Sequence, residues 1–399
     1  MRRLKTTALT LLLLTITPCL TLAQKKELSQ ARTILKSGKG VEQAEKLMTG
    51  LLKDSANRDN KRIYAVWYES VLMQYQAVNE KLYMKQKQDT AQFFELTRRL
   101  FSVATALDSL DMKPDKKGKV DPEYRKENAR QLYAYRPNLF FASTYFVRKS
   151  DYKKAYDFSE AYIDGARQPL FTGYHIDSLD TRLPEAAYWA TYSAYRMQDP
   201  VRTLRYRHLA LRDTAKEAFT LQYIAEARRW LKDDSLYLET LRRGFSRFPR
   251  HAYFFPRLMD HYTRSGDNLK ALEVVDRALA ANDSSQLTLF AKSTVLFNLG
   301  RFDESIKVSE LLIERNDTMP EPYYNIGTSY LNKALGLNSL KEKKQQRRLY
   351  QQARQSMERY RQLAPDQRRK WGPALYRIYL NLNMGRQFDE IDRLLKSEE

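Results

Sequence analysis

Glu321-Pro322-Tyr323-Tyr324-Asn325-Ile326-Gly327-Thr328-Ser329-Tyr330 is the stretch that decides the fold. Written on a helix, one side carries Tyr323, Ile326, Gly327 and Tyr330, at intervals of three, one and three residues. That spacing is one face of a helix with 3.6 residues per turn. A glycine inside a helix costs stability. A bare backbone at Gly327 therefore predicts that something packs closely against that point.

A large residue, then a small one, then an aromatic on one face resembles the first helix of a tetratricopeptide (TPR) unit, a 34-residue helix-turn-helix. In that frame Gly327 takes position 8, Tyr323 position 4, Ile326 position 7 and Tyr330 position 11. One repeat back stand Leu289, Lys292, Ser293 and Leu296, and one further back Phe255, Leu258, Met259 and Tyr262. Gly300 and Gly266 fall at the turn, position 15. Ser305 and Ala271 fall at position 20, and Leu312 and Ala278 at position 27. Leu221, Ile224 and Ala225, then Ala187, Ala190, Thr191 and Ala194, continue the frame towards the N-terminus. Leu139, Ala142, Ser143 and Phe146 carry it to its first regular unit, with Ala155 at position 20.

Two units are longer than the pattern. Arg136 and Pro184, which start successive units, are 48 residues apart, 14 more than one repeat, so about 170–183 is an inserted loop. Ala353 at position 20, Tyr360 at 27 and Pro365 at 32 close the Tyr323 unit only if 14 residues, about 337–350, are inserted between its helices. That insertion, which carries Lys341, Lys343, Lys344, Arg347 and Arg348, is expected to extend both helices. Fixed spacing over roughly half the chain is the signature of a repeat array.

The resemblance implies an all-α fold, a TPR-type α-solenoid of antiparallel helical hairpins forming a right-handed superhelix. Residues 24–111 are expected to form degenerate N-terminal hairpins, and 112–122 a basic loop. The array occupies 123–367, and 368–399 form a capping hairpin with a polar outer face. Residues 1–23 read as a bacterial secretory signal: Arg2, Arg3 and Lys5, an apolar stretch from Ala8 to Leu22, and small residues before Gln24. Export to the periplasm or the medium is the expectation. Pro18 before Cys19 departs from the small residue a lipid-anchor motif wants, so a lipid anchor is not expected.

Composition narrows the chemistry. Cys19 is the one cysteine of the chain and lies in the leader, so the processed chain has no disulfide, thiolate metal site or cysteine nucleophile. Four histidines, His175, His208, His251 and His261, have no metal-ligand spacing, and phosphate-loop, dinucleotide and nucleophile-elbow motifs are absent. No enzyme activity, cofactor or metal is expected. The formal charge of +21 favours acidic partners. Bases are interleaved with acids, however, and no nucleic-acid-binding signature is present, which argues against nucleic acid. The lysine-rich loop and the basic insertion read first as solvated surface, and association with a membrane surface is the alternative they leave.

In TPR arrays positions 2, 5, 9, 12 and 13 of the first helices tend to face the concave side. Carried over, they place Tyr188, Tyr192, Tyr195 and Arg196 beside Arg229 and Trp230, with Arg264 one unit further on. Aromatic and arginine side chains together are what binding hot spots favour. The expected function is a scaffold for a protein or peptide partner in the bacterial envelope. The alternative is a glycan- or nutrient-binding accessory protein, because aromatic rings also suit sugars. Several of these rings are equally suited to packing between helices.

Overall fold

The computed structural model describes residues 24–337 and 340–396. The leader at 1–23 and the charged end at 397–399 lie outside the described residues, so the expected signal segment and the last residues of the expected cap are not placed. The described chain is all-α. Its packing separates into two units, one ending at Leu231 and one beginning at Lys232, a division that falls inside the stretch read from sequence as one array.

The first unit opens with α1 (24–37) and α2 (Val41–Leu51), which share a small core with the start of α3. The long pair α3 (Lys61–Tyr83) and α4 (Thr90–Asp111) follows. The expected basic loop joins α4 to α5 (Arg125–Tyr135). It is tied down at its end: Arg125 donates from Nε and Nη2 to Asp108 at 2.6 and 2.7 Å, and the Tyr124 amide donates to Asp111 at 2.7 Å. Regular hairpins come next. α6 (Pro137–Arg148) pairs with α7 (Tyr152–Gly165), and α9 (Leu183–Arg196) with α10 (Pro200–Arg205) and α11 (Arg207–Ala210), before α12 (Glu217–Trp230). Each second helix also packs on the following first helix, and successive first helices touch.

The inserted segment holds the short α8 (Ile176–Leu179) and is clamped from below. Arg136, almost fully buried, pairs with Asp180 and donates to the Tyr162 carbonyl at 2.8 Å. Its guanidinium lies 3.6 Å from the centre of the Tyr162 ring, whose hydroxyl donates to Asp180 at 2.5 Å. Burial pushes the Asp180 carboxyl up. Bonds from Tyr162, Arg136 and the Arg182 amide outweigh it and hold the group below the usual carboxylate range.

The second unit runs α13 (Asp234–Arg247), α14 (Phe254–Arg264), α15 (Asn268–Ala281), α16 (Gln286–Asn298), α17 (Phe302–Arg315), α18 (Pro320–Leu335), α19 (Lys343–Leu363), α20 (Arg368–Leu382) and α21 (Gly385–Lys396), each packed on its neighbour in sequence. The register holds at the buried positions. Leu258 and Ile326 are buried at position 7, where Lys292 is half-buried, Tyr262 and Leu296 are buried at position 11, and Ala271, Ser305 and Ala353 at position 20. Ala278, Leu312 and Tyr360 are buried at position 27, while Tyr323 and Tyr330 are half-buried. Gly327 does mark a close approach: a Cβ there would sit 2.9 Å from Met357 Cε and 3.3 Å from the Met357 amide nitrogen.

The 337–350 insertion lengthens the two helices of its unit unevenly: α18 has 16 residues against 13 in α16 and stops at Leu335, whereas α19 has 21 against 14 in α17. The Gln346 side chain explains the stop, because it donates to the carbonyls of Ala334 and Leu337 at 3.0 and 2.9 Å and so satisfies the end of α18 from outside.

Turns inside the hairpins share one construction. Position 15 is left-handed in five successive units: Ser150, Gln198, Lys232, Gly266 and Gly300 have φ between 57° and 73°. The next residue is an aspartate in four of them, and Asp151, Asp199, Asp233 and Asp267 each accept from the backbone nitrogen three residues on. That bond caps the second helix, whose first amides have no partner within the helix.

Candidate functional site

The side chains expected on the first-helix face converge only in part. α9 projects Tyr188, Tyr192, Tyr195 and Arg196, spaced so that they share one side of the helix, and α12 answers with Tyr223 and Trp230. The Tyr195 ring lies between two others. Tyr223 is 4.6 Å away at an interplanar angle of 24°, and Trp230 is 5.6 Å away at 14°. Tyr192 stands 5.6 Å from Tyr223, with Trp189 and Tyr152 meeting it edge-on at 6.0 Å. Offset stacks and edge contacts at these separations are favourable beyond the area they bury.

Charge sits at both ends of this ladder. Arg196 donates to the Tyr192 hydroxyl at 2.6 Å and lies 4.4 Å from the centre of the Tyr152 ring. Lys216 lies 5.4 Å from the Tyr188 ring and bonds Glu185 and Asp213 at 3.2 and 3.1 Å. Tyr188 and Tyr223 are buried, and burial is the main reason both phenols are pushed above their ordinary value. They support the ladder from beneath. Tyr192, Tyr195 and Trp230 are half-buried and Arg196 is exposed, so these four form the surface a partner would meet.

The other three expected members already have partners on or between their own helices. Tyr188 is buried between α9 and α12 and is not a groove contact. Arg229 turns back along its own helix, with Nη2 2.6 Å from the buried Glu226 three residues earlier. Arg264 belongs to the second unit, where it pairs with Asp260 at 2.9 Å one helical turn before it. The sequence reading missed Tyr223, Trp189, Tyr152 and Lys216. Tyr223 was legible in principle, being two residues after Leu221 on a first helix. Tyr152 and Lys216 lie outside the first helices, where no repeat position pointed to them.

Among the described residues no three His, Cys, Asp or Glu side chains cluster as metal ligands, and no helix is long and apolar enough to cross a membrane. His251 meets the Phe254 ring at a tilted 42°, with centroids 5.2 Å apart, and burial pushes its imidazole below its ordinary value.

No family model matches this sequence, and no curated protein does. Solved structures of TPR-repeat proteins are similar at low identity. The C-terminal part of a TPR repeat-containing protein from Cytophaga hutchinsonii is 8% identical with a TM-score of 0.42, covering 63% of this chain and 92% of that one. Yeast Tom70 is 12% identical with a TM-score of 0.34, covering 94% and 91%. At these values the fold rests on the helix packing of this chain itself.

Proposed function

We propose that this chain is a non-enzymatic, TPR-like helical-repeat scaffold of the bacterial envelope that binds a protein or peptide through the α9–α12 face. The observation that carries this reading is the ladder itself. Tyr195 and Trp230 are stacked, Tyr192 joins them through a tilted contact with Tyr223, and the three are partly open and bordered by Arg196, which combines rigid apolar area with a charge suited to carboxylates. Repeat proteins of stacked helices present such faces on a preformed frame, so binding there would cost little ordering. Export is supported by the leader-like 1–23.

The test is in-cell photo-crosslinking of a tagged full-length chain, with the reactive group at Tyr195 and, as a control, at the fully exposed Tyr83. We expect one protein adduct from Tyr195, none from Tyr83, and loss of that adduct in Trp230→Ala and Arg196→Glu. The near-parallel rings of Tyr195 and Trp230 are also what a sugar ring stacks on. Absence of a protein adduct together with saturable binding on a glycan array, abolished by Trp230→Ala, would replace the protein ligand with a glycan.

A further inference from the structure

The second helix of the α9 unit is broken. Tyr206, at φ −105° and ψ 16°, ends α10 and starts α11. Where a continuous helix would lie against α7, a cavity of about 340 Å³ opens beside the inserted segment. Its floor is aliphatic: Ile163, Ala166 and Leu183 are buried, and Leu209 is half-buried. Its rim is basic. Arg205 is already committed to Glu160 at 2.6 Å and Asp164 at 2.8 Å, and the Tyr206 hydroxyl also donates to Asp164 at 2.8 Å, which fixes the break in place. Arg167, His208 and Arg212 line the same opening with no ion pair among the described residues, and the exposed Asp177 is the one uncommitted acid facing them.

An apolar floor under uncompensated guanidinium groups selects a ligand that is apolar at its tip and anionic beside it. The volume is at the low end of ligand cavities, roughly 300–1,000 Å³. It accommodates one side chain with its flanking carboxylates and is short for an acyl chain or a cofactor. The four aliphatic floor residues offer a sugar neither a stacking ring nor a hydrogen bond. We infer that this cavity is an anchor site for a peptide, taking a bulky aliphatic side chain whose neighbours are Asp or Glu. It is a second site, built from residues separate from the aromatic ladder, and it stands or falls independently of it.

Fluorescence anisotropy with the full chain tests it. The probe is a fluorescein-labelled acidic dodecapeptide, Glu- and Asp-rich, with one central leucine. The expected result is saturable binding, weakened about tenfold or more when the peptide leucine becomes serine and when Arg167→Glu and Arg212→Glu are combined in the protein. Both arginines are exposed, so the charge reversal leaves the core untouched, and circular dichroism checks that it does. Ala166→Leu, which fills the cavity without changing charge, should weaken binding equally, whereas Trp230→Ala should not. No saturable binding up to about 1 mM in low salt would overturn the inference. So would binding indifferent to the arginine reversal or to the leucine, or binding lost in Trp230→Ala.

Discussion

At the scale of single residues, the point where two helices of a unit meet is filled in complementary ways. Ser143 meets Ser159 at 2.5 Å and Ser293 meets Ser309 at 2.6 Å, each pair 16 residues apart and fully buried. At the equivalent place in the longer unit, Gly327 leaves room that Met357 occupies. Gly327→Ala should be close to neutral, because about 1 kcal/mol of helix propensity offsets the displacement of a flexible methionine tip. Gly327→Leu should cost about 2–3 kcal/mol and lower the melting temperature by several degrees, with part of the loss recovered by adding Met357→Ala. Thermal melts of the three variants check this. Gly244 is stricter. A Cβ there would lie 2.3 Å from a carbon of the buried Phe254 ring, which has nowhere to go. Gly244→Ala should therefore lose about 2 kcal/mol despite the same propensity gain.

At the scale of elements, the turns and the clamp carry the next expectations. Ser150 and Gln198 hold a left-handed conformation that glycine adopts without strain. Ser150→Gly and Gln198→Gly should each raise the urea midpoint by an amount equivalent to about 0.5–1 kcal/mol. The Asp180 clamp should be pH-dependent. Its folded pKa is depressed, so its contribution is complete above the ordinary aspartate value of about 3.9 and is lost as pH falls through the folded value. Asp180→Asn should cost about 1–2 kcal/mol at pH 7, and the gap to the parent should close in chemical denaturation below about pH 4. The helices themselves were legible, because a 34-residue period repeats the same small and large residues at fixed offsets. The left-handed turns at Ser150, Gln198 and Lys232 were not, since the residues there are ordinary polar ones, whereas Gly266 and Gly300 announced theirs. The break at Tyr206 was equally hidden: a hydroxyl reaching Asp164, 42 residues away, leaves no local pattern. Of the candidate site, the α9 aromatics were legible from spacing. The direction of Arg229 was not, because Glu226 three residues earlier competes for it.

At the scale of the whole molecule, the basic charge and the stacked architecture each have a measurable outcome. A formal charge of +21 should draw acidic ligands from a distance. Association rates for an acidic peptide should fall about tenfold between roughly 20 and 300 mM salt, with a smaller change in dissociation rate, as stopped-flow fluorescence would record. In a stack, each element is covered by the next. α20 covers α19, where Tyr350, Met357 and Tyr360 are buried and Tyr379 bonds Glu358 at 3.0 Å. Removing α20 and α21 should expose these side chains and produce self-association visible by light scattering, while the first unit keeps its helical signal.

The ladder on α9 and α12 also gives the protein a built-in optical signal. With Tyr223 and Trp230 both within 6 Å of Tyr195, light absorbed by these phenols passes to the indole, so Trp230 emission concentrates information from the whole face. A ligand that slips over Trp230 would change its colour and brightness without any attached dye. The surface proposed to recognise a partner is thus also the natural place to watch one arrive.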